Sequence, residues 1–137
     1  MNTSIKNLID QYQVRGDFTY SVITPEQIEE AQTLLRTSLP GEYLEFLRTY
    51  GQGGIGGVEI IGVGKNGTLL FVKETMKYRG LGLPDNLVVI ENCDEWLYCI
   101  DCNNSQVVSW SNQSIEASYP DFDTYLLDRF TEAADNL

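Results

Sequence analysis

Residues 87–91, 96–100 and 107–110 are three short apolar runs with only polar turns between them. Runs of this length, rich in Val, Ile, Tyr and Trp, are strands. The turns, Asn92-Cys93-Asp94-Glu95 and Asn103-Asn104-Ser105, are too short for a crossover helix, so neighbouring strands must run antiparallel. Upstream, the spacing of apolar residues is helical. Ile5, Leu8, Ile9 and Tyr12 form one stripe over residues 3–12, and Ile28, Ala31 and Leu35 form another. Helices, then a meander, then a closing helix is an α+β order. The expectation is a central antiparallel-rich sheet of about five to six strands, flanked by N-terminal helices and a C-terminal helix.

The second helix has a strong start signal. Thr24 is placed to be N-cap, Pro25 to occupy N1, and Gln27 at N3 completes a capping box, with Ile23 and Ile28 at the hydrophobic-staple positions. Pro40 opens a third helix whose Tyr43, Leu47 and Tyr50 recur at i, i+4 and i+7, and Gly51 suits its left-handed C-terminal position. Residues 18–23 read as a short edge strand or an extended lead-in. Residues 58–63 read as a strand. Residues 69–79 fit either a hairpin strand or a helix carrying Leu69, Val72 and Met76. From Asp121 a last helix turns Phe122, Leu126, Phe130 and Ala133 inward.

Two motifs fail on context. Gly51-x-Gly53-x-x-Gly56 matches a dinucleotide fingerprint, but that motif follows a strand and opens a helix, and here the order is reversed. The residues read instead as a helix cap and a close-packed turn. Cys99-Ile100-Asp101-Cys102 has C-x-x-C spacing, yet it lies in a strand pattern that sends the two thiols to opposite faces. Buried or half-buried free thiols are expected, as in a reducing compartment. The chain has no histidine, which removes Ser-His and Cys-His nucleophile pairs and His-bearing metal sites. No catalytic residue, cofactor or metal is expected. Paired carboxylates such as Glu91 and Asp101 offer the one enzymatic alternative, a glycosidase-like hydrolase, without any supporting constellation.

The 137 residues suit one domain, residues 1–137, and carry twenty Asp and Glu against nine Lys and Arg, a net charge of −11. Such a surface repels nucleic acid and anionic lipid and favours a basic partner. Acidity for solubility alone explains the charge equally well. With no secretory start and no membrane span in the sequence, a cytoplasmic protein is expected, monomeric or homodimeric.

The ordered segments carry a resemblance. Leu39-Pro40-x-x-Tyr43-x-x-Phe46-Leu47 and Tyr50-Gly51-x-Gly53-Gly54 precede Gly57-x-x-Ile60-x-Gly62 and Leu87-Val88-Val89-Ile90. Tyr98-Cys99-Ile100-Asp101, Val107-Val108-x-Trp110 and Asp121-Phe122 follow. This order resembles the SUKH superfamily (Smi/Knr-like), which includes yeast cell-wall-synthesis regulators and bacterial immunity proteins, over residues 24–130. Two departures stand out. Many members carry glycines where this chain has Asn92-Cys93-Asp94-Glu95-Trp96, and Asp121 replaces a common Ser. The resemblance implies an α+β fold and an antitoxin that binds and neutralises a cognate toxin, often a nuclease, with a regulatory protein-binding scaffold as the alternative.

Within that expectation the partner-binding candidates are Glu91, Asp94, Glu95, Trp96, Tyr98 and Asp101, on the sheet edge and its turn. Carboxylates there would stand in for substrate phosphates against a basic cleft, and aromatics would anchor. The competing reading makes Trp96, Tyr98 and Trp110 core residues and the carboxylates a solvated turn.

Overall fold

A computed structural model describes every residue except Gln113. Three helices come first: α1 (Thr3–Tyr12), α2 (Pro25–Leu35) and α3 (Gly41–Thr49). A small hairpin follows, β1 (Gly53–Ile55) and β2 (Val58–Ile60), then α4 (Leu70–Arg79). The meander is β3 (Leu87–Asn92), β4 (Leu97–Asp101), β5 (Val107–Ser111) and β6 (Ser114–Tyr119), and α5 (Phe122–Asp135) closes the chain. The fold is α+β, a four-stranded antiparallel sheet in the order β3-β4-β5-β6 beside a separate two-stranded hairpin.

Local chemistry sets the helix ends. Thr24 accepts from Gln27 N while the Gln27 side chain accepts from Thr24 N, the reciprocal box with Pro25 at N1. The residues 69–79 that fit either helix or strand resolve as helix, burying Phe71, Val72 and Thr75. At α5, Asp121 accepts from Thr124 N, and Glu42 of α3 reaches across to accept from Phe122 N and Asp123 N at 3.1 and 3.2 Å. A carboxylate from another helix thus satisfies two amides that α5 cannot.

The main core lies between the helices and one face of the sheet, where Val88, Ile90, Ile100 and Val107 meet Tyr43, Phe46, Phe122, Tyr125 and Phe130. A smaller core on the opposite face gathers Leu83, Val89, Leu97, Cys99, Val108 and Trp110. Cys99 and Cys102 fall on opposite sides, with Cys99 in the small core and Cys102 against the main one. All three cysteines are free thiols.

Two strands escape the sequence patterns. β1 lies within the glycine-rich stretch read as a turn, because Gly53, at φ +136°, lets the chain lie flat against Asp17 and Phe18, where a side chain would strike backbone. β6 is exposed along most of its length and shows no alternation to read. The strand predicted over residues 58–63 stops at Ile60. Beyond it Ile61 N donates to Ile90 O at 2.8 Å and Val63 N to Gly51 O at 2.9 Å, so the chain leaves the hairpin to close against β3 and the glycine turn. Residues 18–23 run as an extended lead-in, with Phe18 bridging Gly53 and Thr19 N and Tyr20 N bonding Gln52 O and Tyr50 O.

The two sheet edges differ. On β3, Ile61 covers Ile90 O and Thr75 Oγ1 accepts from Val89 N at 3.0 Å. On β6, β5 is the one strand partner among the described residues. The β3 edge is thus protected by covering groups.

Candidate functional site

The register of β3 decides which carboxylates face outward. Regular alternation would place Glu91 with Leu87 and Val89 on the small-core face. A bulge between Val89 and Glu91 shifts the pairing, so that Val89 opposes Cys99 and Glu91 opposes Tyr98. Glu91 is thereby turned toward α5. It is 3% exposed, accepts from Tyr125 Oη at 2.6 Å, and pairs with Arg129 through Nε at 3.0 Å and Nη2 at 2.6 Å. The bidentate bond to Glu91 drives the Arg129 guanidinium well above its ordinary pKa against the opposing cost of burial. Burial and the Glu91 charge likewise push Tyr125 up. Glu91 therefore leaves the expected surface set: it is an internal pin between β3 and α5.

Asp101 departs from a common patch, whereas Tyr98 stays beside Trp96, their rings edge-on with centres 6.1 Å apart. Asp101 lies at the far end of β4 from Trp96, where Oδ1 accepts from Asn86 Nδ2 at 3.0 Å and Asn103 N at 2.9 Å. Its carboxylate organises the turn into β5. Tyr98 is half-buried, packed edge-on to Tyr119 and Tyr125, with the Arg129 guanidinium 5.4 Å from its ring centre.

Asp94, Glu95 and Trp96 do stay together. Asn92 Oδ1 accepts from Asp94 N at 2.8 Å, and Cys93 N donates to Trp96 O at 3.0 Å, closing a tight turn in which Asp94 takes a left-handed φ of 65°. Trp96 is 37% exposed. With Asp94 and Glu95 it lines a groove of about 420 Å³, walled also by Tyr78, Leu81 and Trp110. Tyr78 and Trp110 meet edge-on at 6.2 Å. Leu81, in the loop after α4, is largely exposed. Among the described residues, neither Asp94 nor Glu95 pairs with a cation within 4.0 Å. The other side of the same sheet end carries a second hollow, lined by Ser109, Ser114, Glu116 and Ser118 with Tyr98 and Trp96. Trp96 belongs to both hollows.

Sequence reasoning missed Tyr78, Leu81 and Trp110 as groove residues. Leu81, an apolar residue between Gly80 and Gly82 that no periodic stripe claims, was the one available signal. Tyr78 and Trp110 give none, since they read as ordinary helix and strand positions.

The cysteines are free thiols, Cys99 buried and Cys93 and Cys102 partly buried. Burial pushes Cys93 and Cys99 up to about 12 and Cys102 up to about 11, so these thiols are poor nucleophiles and metal ligands. Among the described residues no cluster of three or more His, Cys, Asp or Glu is arranged to hold a metal ion. No helix among them is long and apolar enough to cross a membrane.

Comparison with known proteins agrees with this architecture. A solved structure of a protein from Pseudomonas syringae pv. tomato superposes with a TM-score of 0.69 at 22% identity, covering 88% of this chain and 91% of that one. At that identity the likeness is one of fold. The family model SUKH_5, described as SMI1-KNR4 cell-wall, matches residues 5–131. The chain belongs to the SUKH family of SMI1-KNR4 domains.

Proposed function

We propose that this chain is an immunity protein that binds and neutralises a cognate toxin, and that the open end of the sheet around Trp96 is the surface it uses. Family membership supports the binding role, since SUKH domains include immunity proteins. The single observation that carries the site is the groove itself. Three aromatic residues and Leu81 line it together with two carboxylates that have no cation within 4.0 Å among the described residues. Large amphipathic rings supply contact area at low entropic cost, and free carboxylates add attraction for a basic partner. A nuclease is the toxin class that fits best, because its substrate cleft must be basic. The net charge of −11 would speed the encounter at low salt. The whole of residues 1–137 acts in this reading as one binding domain, without catalysis.

The test is to identify the genes beside this one and, where one encodes a toxin, to co-purify its product with wild type and with a variant combining Asp94→Asn with Glu95→Lys. Asparagine is chosen because it tolerates the left-handed backbone at position 94. Loss of affinity with a flattened salt dependence is expected. Unchanged affinity and unchanged salt dependence would remove the site, and an orphan gene in a metabolic operon would favour the regulatory scaffold.

A further inference from the structure

We infer that the groove walled by Tyr78, Trp96 and Trp110 is a receptor for one arginine side chain of a protein partner. The inference deepens the toxin-binding reading and rests on it for the partner's identity, while the receptor chemistry stands on the groove alone.

The argument begins with what the groove offers. Aromatic faces attract a cation through their negative quadrupole, and more so when the cation is partly desolvated in a concave site. Asp94 and Glu95, adjacent in sequence in the lining, supply up to four carboxylate oxygens with no cation within 4.0 Å among the described residues. A neutral aromatic or aliphatic anchor would leave that negative charge uncompensated. A cation uses both features at once.

Arginine fits better than lysine. Its guanidinium is planar, weakly hydrated and forked, so it stacks on a ring while bonding carboxylates through several N–H groups. The same sheet already contains such an arrangement. Two residues after Trp96, on β4, Tyr98 carries the Arg129 guanidinium over its ring while Glu91 holds it by two hydrogen bonds of 2.6 and 3.0 Å. The groove repeats these parts, ring and carboxylate, without the guanidinium. Of the groove's rings, Tyr78 already has Lys77 Nζ at 5.2 Å from its centre, which leaves Trp96 and Trp110 for an arriving guanidinium.

A second copy of this chain is a poor donor, because two molecules of net charge −11 repel each other. Nucleic acid and anionic lipid are repelled likewise. The fitting occupant is an arginine on a basic protein surface.

The probe is N-acetyl-L-arginine methylamide, with the neutral citrulline analogue as control, and the readout is the indole N–H resonances of Trp96 and Trp110 in two-dimensional NMR. Saturable shifts with the arginine probe are expected, about tenfold weaker with citrulline. Asp94→Asn together with Glu95→Gln should weaken the arginine response by a similar factor while the rest of the spectrum stays unchanged. Absence of a saturable shift up to the solubility limit, or an equal response to citrulline, overturns the receptor. Toxin co-purification is scored separately. A toxin that binds through this surface while the probe fails leaves the immunity reading standing without an arginine anchor, and a probe that binds while the toxin does not has the opposite meaning.

Discussion

The Nη2 atom of Arg129 lies 2.6 Å from Oε2 of Glu91, joining α5 to β3 across 38 residues of sequence. Both side chains are largely withdrawn from water, and the Tyr125 hydroxyl, at 2.6 Å, completes the carboxylate's bonding. Removing one partner of a buried pair strands the other charge. Glu91→Ala is therefore expected to lower stability by about 3–5 kcal/mol. Replacing both residues, Glu91→Leu with Arg129→Met, is expected to cost less than either single truncation. Urea titrations of Glu91→Ala, Arg129→Ala and the double variant check this, and a double-variant loss equal to the sum of the two single losses would show that the pair is not coupled.

Glu42 ties α3 to the start of α5 by accepting two backbone N–H bonds. Glu42→Ala leaves both donors without that partner and is expected to cost about 1–2 kcal/mol, in the range of a lost helix cap. Amide exchange at Phe122 and Asp123 should accelerate more than exchange in the sheet. Equal acceleration everywhere would mean a global loss and not a loosened cap.

The glycines are not equivalent. A Cβ at Gly62 would collide with the Gly51 carbonyl, where Val63 N also bonds. Gly62→Ala is expected to destabilise by about 3 kcal/mol or more, the range of a backbone clash in a packed site. At Gly57 no atom lies within 4 Å of an added Cβ, so Gly57→Ala should change stability by no more than about 0.5 kcal/mol in either direction. Thermal melts of the two variants make the comparison.

Alkali should unfold the protein through its buried thiols and phenols. Cys99, ordinarily near 9, is pushed up to about 12 by burial, and burial also raises Tyr43 and Tyr125. A raised folded-state pKa means that the unfolded chain loses its proton first. The stability these neutral groups contribute is therefore fully present below about pH 9 and declines as pH rises toward about 12. Denaturant midpoints measured between those limits should fall with pH, and Cys99→Ala should reduce the slope by up to one proton. A flat profile would contradict the burial of these groups. At neutral pH, Cys99 should react with a disulfide reagent only on unfolding.

The sequence alone determined the three N-terminal helices, the run of strands β3 to β5 and the closing helix, because those signals are local. The Thr24-Pro25-Gln27 box, the Asp121 cap and the apolar runs around Val88, Ile100 and Val107 each act within a few residues, and the structure contains them all. Opposite placement of Cys99 and Cys102 followed from strand period by the same logic. The exposed polar strand β6 and the glycine strand β1 were not legible, since neither carries an alternating apolar face. Tertiary structure alone decided the candidate site. One bulge in β3 turned Glu91 inward to Arg129, strand length set Asp101 at the opposite end of β4, and the end of α4 brought Tyr78 and Leu81 beside Trp96. A carboxylate in a sequence has no side until the register of its strand is fixed. That register depends on contacts with a helix 38 residues away.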